Sequence, residues 1–390
     1  MRLRDVSEGE LLARVFPVYA GARPPAWGTV TVGPGDDAAV VGTPGGSVVA
    51  TTDSMVRGLD WRDEWSSAHD VGVKVAAQNL ADVAAMGAVP TALLVSLVAD
   101  PDLEVEWAVD LARGISSLAE QASAPVVGGD LSAAPPGVVV VSVTALGDLR
   151  GLAPVLRSGA RPGDVVAVCG SLGRSGGGLA LYERGEPDPD RMPSMDAGRS
   201  AGRSAGRSTG RPGEREAPGE RALAVRALMR HHRAPVPPWR AGPRAAAVGA
   251  HAVVDVSDGL VTDLGRVAAA SGVRIDLDGT VLRERYAVGP LTLALGEGEA
   301  MRQVLSGGEE HCLVGAFADA ASLPPASPSA SPAASPPASP ELEDGEEGED
   351  GGPEAWHVVG RVLPSSGDGI LVTVDGTVPE AKGWDHFARS

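Results

Sequence analysis

The stretch Ala68 to Pro90, AHDVGVKVAAQNLADVAAMGAVP, decides how the chain is read. At about 3.6 residues per turn, Val73, Ala76, Ala77, Leu80, Val83 and Ala84 fall on one apolar stripe, while Lys74, Gln78, Asn79 and Asp82 gather opposite. The spacing predicts a helix whose second face carries an ammonium, two amides and a carboxylate. Taken alone, that face is an ordinary solvated surface with a Lys-to-Asp pattern. Carboxylate motifs elsewhere change its meaning: GDD at Asp36-Asp37, TTD at Asp53, GGD at Asp130 and DVSD from Asp255 to Asp258. They are expected at strand ends or turns, and together they ask for a shared cation.

Around this helix the pattern alternates. Residues 3 to 20 read as a helix opening near Ser7, with Glu10 at the capping-box spacing. Thr29 to Val32, Ala38 to Val41 and Ser47 to Thr52 are β-rich runs separated by GPGDD and GTPGG turns, which puts Asp53 at a strand end. Thr91 to Ala99 reads as a buried strand and Leu103 to Ser123 as a long helix with Trp107, Leu111 and Leu118 inward. Pro125 to Gly128 leads into Gly129-Asp130, and Gly137 to Asp148 is a further β-branched run. This is an α/β or α+β domain, taken as residues 1–149.

LRSGARPGD, within 151–163, is a turn-rich junction, and a second domain follows over 150–390. Val165 to Cys169 is a short strand, after which Gly173 to Gly178 opens a helix whose amides suit an anion. GxxxxGK[ST] has no match, so this is no Walker A loop. Arg221 to His232 reads as a helix, Ala252 to Asp255 as a strand, and Ser257 as the cap of a helix from Gly259 to Ala270. Ile275 to Leu277, Leu313 to Phe317, Val358 to Val362 and Ile370 to Val374 are further strand candidates. Residues 186–220, with AGRS repeated from Ala197 to Ser208, and the Pro/Ser/Ala-rich then acidic residues 321–353 are too poor in apolar residues to order themselves. They are expected to be disordered insertions.

A chain of 390 residues, 43% hydrophobic, suits two compact domains. Its net charge is −18, of which eight negative charges fall between Glu341 and Glu354. Aromatic residues are only 3% and no basic stripe accompanies them, which argues against nucleic acid. Cys169 and Cys312 each stand alone in an apolar run, with no CxxC or Cys/His cluster for zinc. The thiols fit a reduced cytoplasmic compartment, and no run reaches the ~20 apolar residues of a membrane span.

The chemistry lies in the acids. Asp37, Asp53, Asp82, Asp130, Asp255 and Asp258 are each, singly, ordinary turn or cap residues. Brought together they repel, by roughly 4 kcal/mol per pair at about 4 Å and an effective dielectric of ~20, unless a cation binds. Magnesium, which takes carboxylate and water oxygens and bridges protein to substrate phosphates, is the natural occupant, with several ions for a nucleoside triphosphate. Arg157 suits a phosphate clamp, because guanidinium binds phosphate in a fork. Lys74 and Asn79 are expected to add phosphate contacts.

GDDAAV, TTDSMV, QNLADVAAMGA, GGDL, LRSGARPGD, DVSDGLVTDLG, LSGGEEH and the terminal GWDHF occur in this order from about Leu11 to Phe387. The series resembles the thiamine-monophosphate kinases, of the aminoimidazole-ribonucleotide-synthetase-like superfamily. GDD, NLAD and GGD mark the superfamily, and GGEEH and GWDHF favour this kinase within it. The resemblance implies two domains, each a mixed sheet flanked by helices. It also implies direct in-line phosphoryl transfer from ATP to thiamine monophosphate with several Mg2+ ions, the step that completes thiamine diphosphate biosynthesis, with no catalytic base and as a homodimer formed through the first-domain sheet. Carried over by motif, Asp37, Thr51, Thr52, Asp53, Asp82, Asp130, Asp255 and Asp258 are metal ligands, and Gly129, Asp130, Arg157 and Ser257 contact ATP. Glu309 and Trp384 are substrate positions, where a carboxylate and an indole face suit a thiazolium cation. At Asp60 the pattern departs, since the family usually has His there followed by Phe, and this chain has Asp60-Trp61. His311, beside Glu309 and Glu310, reads as structural. Two competing readings are another ATP-dependent synthetase or ligase of the superfamily, which has no need of GGEEH and GWDHF, and a non-catalytic acidic metal-binding protein, which has no need of Arg157 or Lys74.

Overall fold

The computed structural model describes residues 1–6, 8–19, 21, 23, 30–32, 40–191, 219–325, 354–380 and 383. The first half contains α1 (Glu8–Tyr19), β1 (Val30–Val32), β2 (Val40–Val41), β3 (Val48–Val56), α2 (Ala68–Ala85), β4 (Val89–Ala99), α3 (Val105–Ala122), β5 (Val126–Ala133) and β6 (Val139–Asp148). The second half contains β7 (Val165–Cys169), α4 (Arg174–Glu183), α5 (Glu220–Arg233), α6 (Ala241–Ala247), β8 (Ala252–Asp255), α7 (Leu260–Ser271), β9 (Val273–Leu277), α8 (Gly279–Arg285), α9 (Pro290–Leu295), α10 (Glu297–Ser306), β10 (Leu313–Phe317), β11 (Trp356–Pro364) and β12 (Val372–Val374). Two larger mixed sheets result, with strand orders β3-β6-β4-β5 and β12-β9-β11-β7-β10-β8. Only β4–β5 and β12–β9 run parallel.

The two sheets bury their faces differently, and strand periodicity shows why. In β6, Val139, Val141, Val143 and Ala145 are buried against the helices, while Val140, Ser142, Thr144 and Leu146 are only partly covered. The outer face of the first sheet is thus apolar, hydroxylated and only partly covered among the described residues. In the second sheet both faces are filled. Ala167 and Cys169 of β7, with Leu313 and Phe317 of β10, join the core that contains α2, while Val166, Val168, Val314 and Ala316 join the core under α7. That explains why VVAVC and LVGAF are unbroken apolar runs. Both cysteines are free and packed in these layers.

Helix α2 differs most from its expected setting. Its polar face is not solvated, because Lys74 is 2% exposed and Asn79 0%. One side lies on β3 and β6, another on α3, and a third meets α6 and β8 of the second half. Three close approaches make this possible. A Cβ on Gly72 would stand 2.2 Å from Leu111 O, one on Gly114 2.1 Å from His69 O, and one on Gly242 1.9 Å from Ala84 O. Ser67 caps the helix, its Oγ accepting from Asp70 N while Asp70 answers its own N–H.

Other expectations change in detail. Asp53 and Gly129-Asp130 are strand-interior residues, not strand ends or turns, because β3 runs on to Val56 and β5 to Ala133. Ser257 does not cap α7, whose N-cap is Gly259 at φ 113 without a side-chain bond. Gly176, Gly177 and Gly178 lie inside α4, packed against Gln303, Leu291 and Leu228, so they are contact residues of a helix and no anion loop. Within the first expected insertion, residues 186–191 are tied down. Arg233 ion-pairs with Asp188 and Asp190, Tyr182 Oη donates to Asp188, and Arg191 donates to Asp63 O at 3.0 Å. Ser7, Asp36, Asp37 and most of both insertions lie outside the described residues.

The helix crossing gives a direct test. Gly72→Ala, which forces a methyl into the α3 backbone, is expected to lower unfolding stability by about 1–3 kcal/mol in denaturant titration.

Candidate active site

A cavity of about 490 Å³ opens where the two halves meet. Asp53, Met55, Leu59, Asp60, Trp61, Trp65, Gln78 and Asp82 line it from the first half, and Asp255, Ser257, Asp258, Gly308, Glu309 and His311 from the second. Among these, Asp53 comes from β3, Gln78 and Asp82 from α2, and Asp255 from the end of β8.

One end is acidic. Thr51 Oγ1 donates to Asp82 Oδ2 at 2.7 Å, and Asp53 N donates to Asn79 Oδ1 at 3.2 Å. Burial, and then the Asp255 and Asp53 carboxylates, push the Asp82 pKa up to about 7. Asp53 is raised too, by burial and by Asp255, with His311 opposing. His311 Nδ1 faces Asp255 Oδ2 at 3.4 Å, and although burial disfavours its charge, the Asp255 bond raises its pKa. These carboxylates are crowded and under-compensated. No set of three or more His, Cys, Asp or Glu is arranged to hold a metal ion among the described residues.

At the other end Lys74 Nζ lies 2.7 Å from Glu309 Oε1 and donates to Asp60 O at 3.4 Å. His232 Nδ1 is 3.5 Å from Glu309 Oε2, and burial together with Lys74 depresses its pKa to about 3. Glu309 and His311 have φ of 57° and 56°, a left-handed backbone rare outside glycine. Their amides hold that shape, Glu309 N donating to Ser257 O at 2.7 Å and His311 N to Val256 O at 2.8 Å. Between them Glu310 turns away from the cavity. It accepts from Ser171 Oγ at 2.5 Å and Ser175 N at 2.9 Å and pairs with His231 Nε2 at 3.0 Å. Burial opposes its charge, yet these partners bring its pKa down to about 2.

The comparisons with known proteins now bear on this geometry. The family model "AIR synthase related protein, N-terminal domain" matches residues 35–149. A thiamine-monophosphate kinase of Mycobacterium tuberculosis (strain CDC 1551 / Oshkosh) is 42% identical over 328 residues, 84% of this chain and 85% of that protein. The chain belongs to the thiamine-monophosphate kinase family. The crystal structure of thiamine-monophosphate kinase from Stenotrophomonas maltophilia K279a is similar at TM-score 0.67 and 26% identity, covering 96% of this chain and 98% of that one. AaThiL complexed with AMPPCP and TMP shares the fold at TM-score 0.65 and 24% identity, covering 99% of each chain. The fold expected from the family, two mixed sheets flanked by helices, is the one observed.

Of the residues singled out in the sequence, Asp53, Asp60, Asp82, Asp255, Ser257, Asp258 and Glu309 meet in the cavity. Lys74 and Asn79 do not face it. Burial of α2 on every side consumes them, Lys74 in the pair with Glu309 and Asn79 in bonds to Asp53 N and Val75 O. Thr52 points to the outer face of its sheet, where it donates to Val143 O at 3.1 Å. Asp130 is also on that exposed face, with Ser132 Oγ donating to it at 2.8 Å, while Gly129, its neighbour in β5, is exposed on the opposite face, in register with Val95. Arg157 is exposed in a short 3-10 turn and does not line the cavity. Asp37 and Trp384 lie outside the described residues. Asp60 Oδ2 accepts from Val56 N at 2.7 Å, so its carboxylate is engaged by its own turn.

Met55, Leu59, Trp65 and His232 were missed as lining residues. The usable signal was Trp61 and Trp65 four residues apart in a chain with 3% aromatics. Trp65 stacks on Tyr182 at 4.9 Å and 17°, joining a first-half loop to α4.

Glu310 provides a pH test. Its folded pKa is below the ordinary carboxylate value of 4.5, so its contribution is complete above that pH and is lost as pH falls toward about 2. Glu310→Gln is expected to cost about 2–4 kcal/mol at neutral pH and to flatten the loss of stability between those limits in acid titrations followed by circular dichroism.

Proposed function

We propose that this chain transfers the γ-phosphoryl group of ATP to the phosphate of thiamine monophosphate, giving thiamine diphosphate and ADP. The observation that carries the reading is the polarity of the cavity. Its acidic end, Asp53, Asp82, Asp255 and Asp258, suits cation-bridged phosphates, while Trp61, Trp65, Met55 and Leu59 offer an apolar and aromatic wall. Membership of the kinase family and the likeness to a fold complexed with AMPPCP and TMP support it.

The residues fit Mg2+. The donors are hard oxygens, burial and neighbouring carboxylates raise the pKa of Asp53 and Asp82, and this ion is commonly held by one or two carboxylates plus substrate phosphates in place of an all-protein cage. One or two of Asp53, Asp82, Asp255 and Asp258 would hold each ion beside the substrate phosphates, and when bound it would supply neutralisation of the negative charge shared by the two phosphates. The chain's own residues do the positioning. Thr51 orients Asp82, and His311 orients Asp255. Ser257 O accepts from Glu309 N at 2.7 Å and so fixes Glu309, which would face a cationic substrate ring. No base is required, because a phosphomonoester with second pKa of about 6 is already ionised at neutral pH. Catalysis is then alignment of two anions and charge neutralisation.

The same reading takes residues 1–149 as the ATP/Mg-binding and dimerisation domain and 150–390 as the second domain. The partly covered outer face of the first sheet, with Ser142, Thr144 and Leu146, supports a homodimer. Gly129 and Arg157 are exposed and open to nucleotide reaching beyond the cavity, whereas Thr52 and Asp130 share the outer face with Ser142 and Thr144. Two free, buried thiols suit the cytoplasm, and no described helix is long and apolar enough to cross a membrane.

The test offers the purified protein ATP, Mg2+ and thiamine monophosphate and identifies products by mass. Thiamine diphosphate is expected with the monophosphate and not with thiamine, and Asp82→Asn is expected to reduce kcat by about 10³. ATP turnover without thiamine diphosphate would contradict the reading.

A further inference from the structure

Lysine is nearly absent from this chain: of 33 basic Lys and Arg residues, only Lys74 and Lys382 are lysines. One of the two is buried to 2% exposure in the middle of the molecule. A compact ammonium has therefore been kept where the chain elsewhere uses guanidinium, and the site explains the choice. Lys74 Nζ reaches Glu309 Oε1 at 2.7 Å in the second half and Asp60 O at 3.4 Å in the first. Both residues line the cavity, one from each half of the chain. The planar five-donor head of arginine would meet the same carboxylate and carbonyl with a different geometry from a compact ammonium.

We propose that Lys74 is a positioning residue for the thiamine monophosphate end of the site, tying the two halves of the chain together and aiming Glu309. The inference rests on the function proposed above and adds which substrate this residue serves. Lys74, Gln78 and Asp82 follow one another at i, i+4 and i+8 on α2, which places the strut about 12 Å along the axis from the acidic end. The strut joins Asp60 and Glu309, with Trp61 next to Asp60 in the chain, while Asp53 and Asp255 are the carboxylates that act on Asp82. Glu309 lies in a left-handed backbone, so loss of its buried partner releases a loop that local preference does not support. A defect confined to the strut end should spare ATP.

The test measures steady-state kinetics with thiamine monophosphate varied, the Kd of AMPPCP with Mg2+ by calorimetry, and the Tm, for wild type, Lys74→Met and Lys74→Arg. Lys74→Met is expected to raise KM for thiamine monophosphate at least about tenfold, with the nucleotide Kd within about twofold of wild type. Lys74→Arg keeps the charge, guards against a variant that does not fold, and is expected to raise the same KM by a smaller factor. An unchanged KM in the folded variants, or equal losses at both ends, would overturn the assignment of Lys74. Wild-type protein that makes no thiamine diphosphate would overturn the underlying function as well, and that arm separates the two failures.

Discussion

Helix α2 is buried on nearly every side while carrying a lysine, an asparagine and an aspartate, and the rest of the structure is arranged to satisfy them. A buried charge without a partner costs several kcal/mol, so each of these groups needs something opposite it. Lys74 is answered by Glu309 from the second half, Asn79 by the backbone of β3 and of its own helix, and Asp82 by Thr51. The answer to Asp82 is incomplete. One hydroxyl does not offset burial and the Asp255 and Asp53 carboxylates nearby, and its pKa rises to about 7.

That asymmetry links the fold to the chemistry. The pair at one end of α2 is closed within the protein, whereas the acids at the other end stay short of positive charge until a cation and phosphates arrive. A site built this way suits transfer between two phosphates, because carboxylates that repel one another are those that gain most from a cation bound with phosphates. Glu310 and His231 keep the loop between the ends in place from behind, and α4 is anchored through the same carboxylate.

Much of this was legible in the sequence. The strands Ala252–Asp255, Val165–Cys169 and Leu313–Phe317 were readable to the residue, since unbroken apolar runs bounded by turn residues have few other readings. The clustering of Asp53, Asp82, Asp255 and Asp258 followed from motif order. What was not legible depended on three-dimensional burial. The polar side of α2 had the periodicity of a solvated face, and nothing in one sequence announces that β3 and the loop carrying Glu309 cover it. Ser257 had the chemistry of a helix cap, yet the strained loop at Glu309 claims its carbonyl. Residues 186–191 read as part of a featureless insertion, but Asp188 and Asp190 meet Arg233 only after α5 is packed.

The central claim is that one cavity between the halves holds nucleotide phosphates at its acidic end and the thiamine rings at the end closed by Lys74 and Glu309. A crystal structure of this chain with AMPPCP, Mg2+ and thiamine monophosphate tests it most directly. The account predicts the phosphates beside Asp53, Asp82 and Asp255, and the heterocycles between Trp65 and Glu309. Heterocycles bound outside this cavity, or phosphates at its Glu309 end, would contradict it.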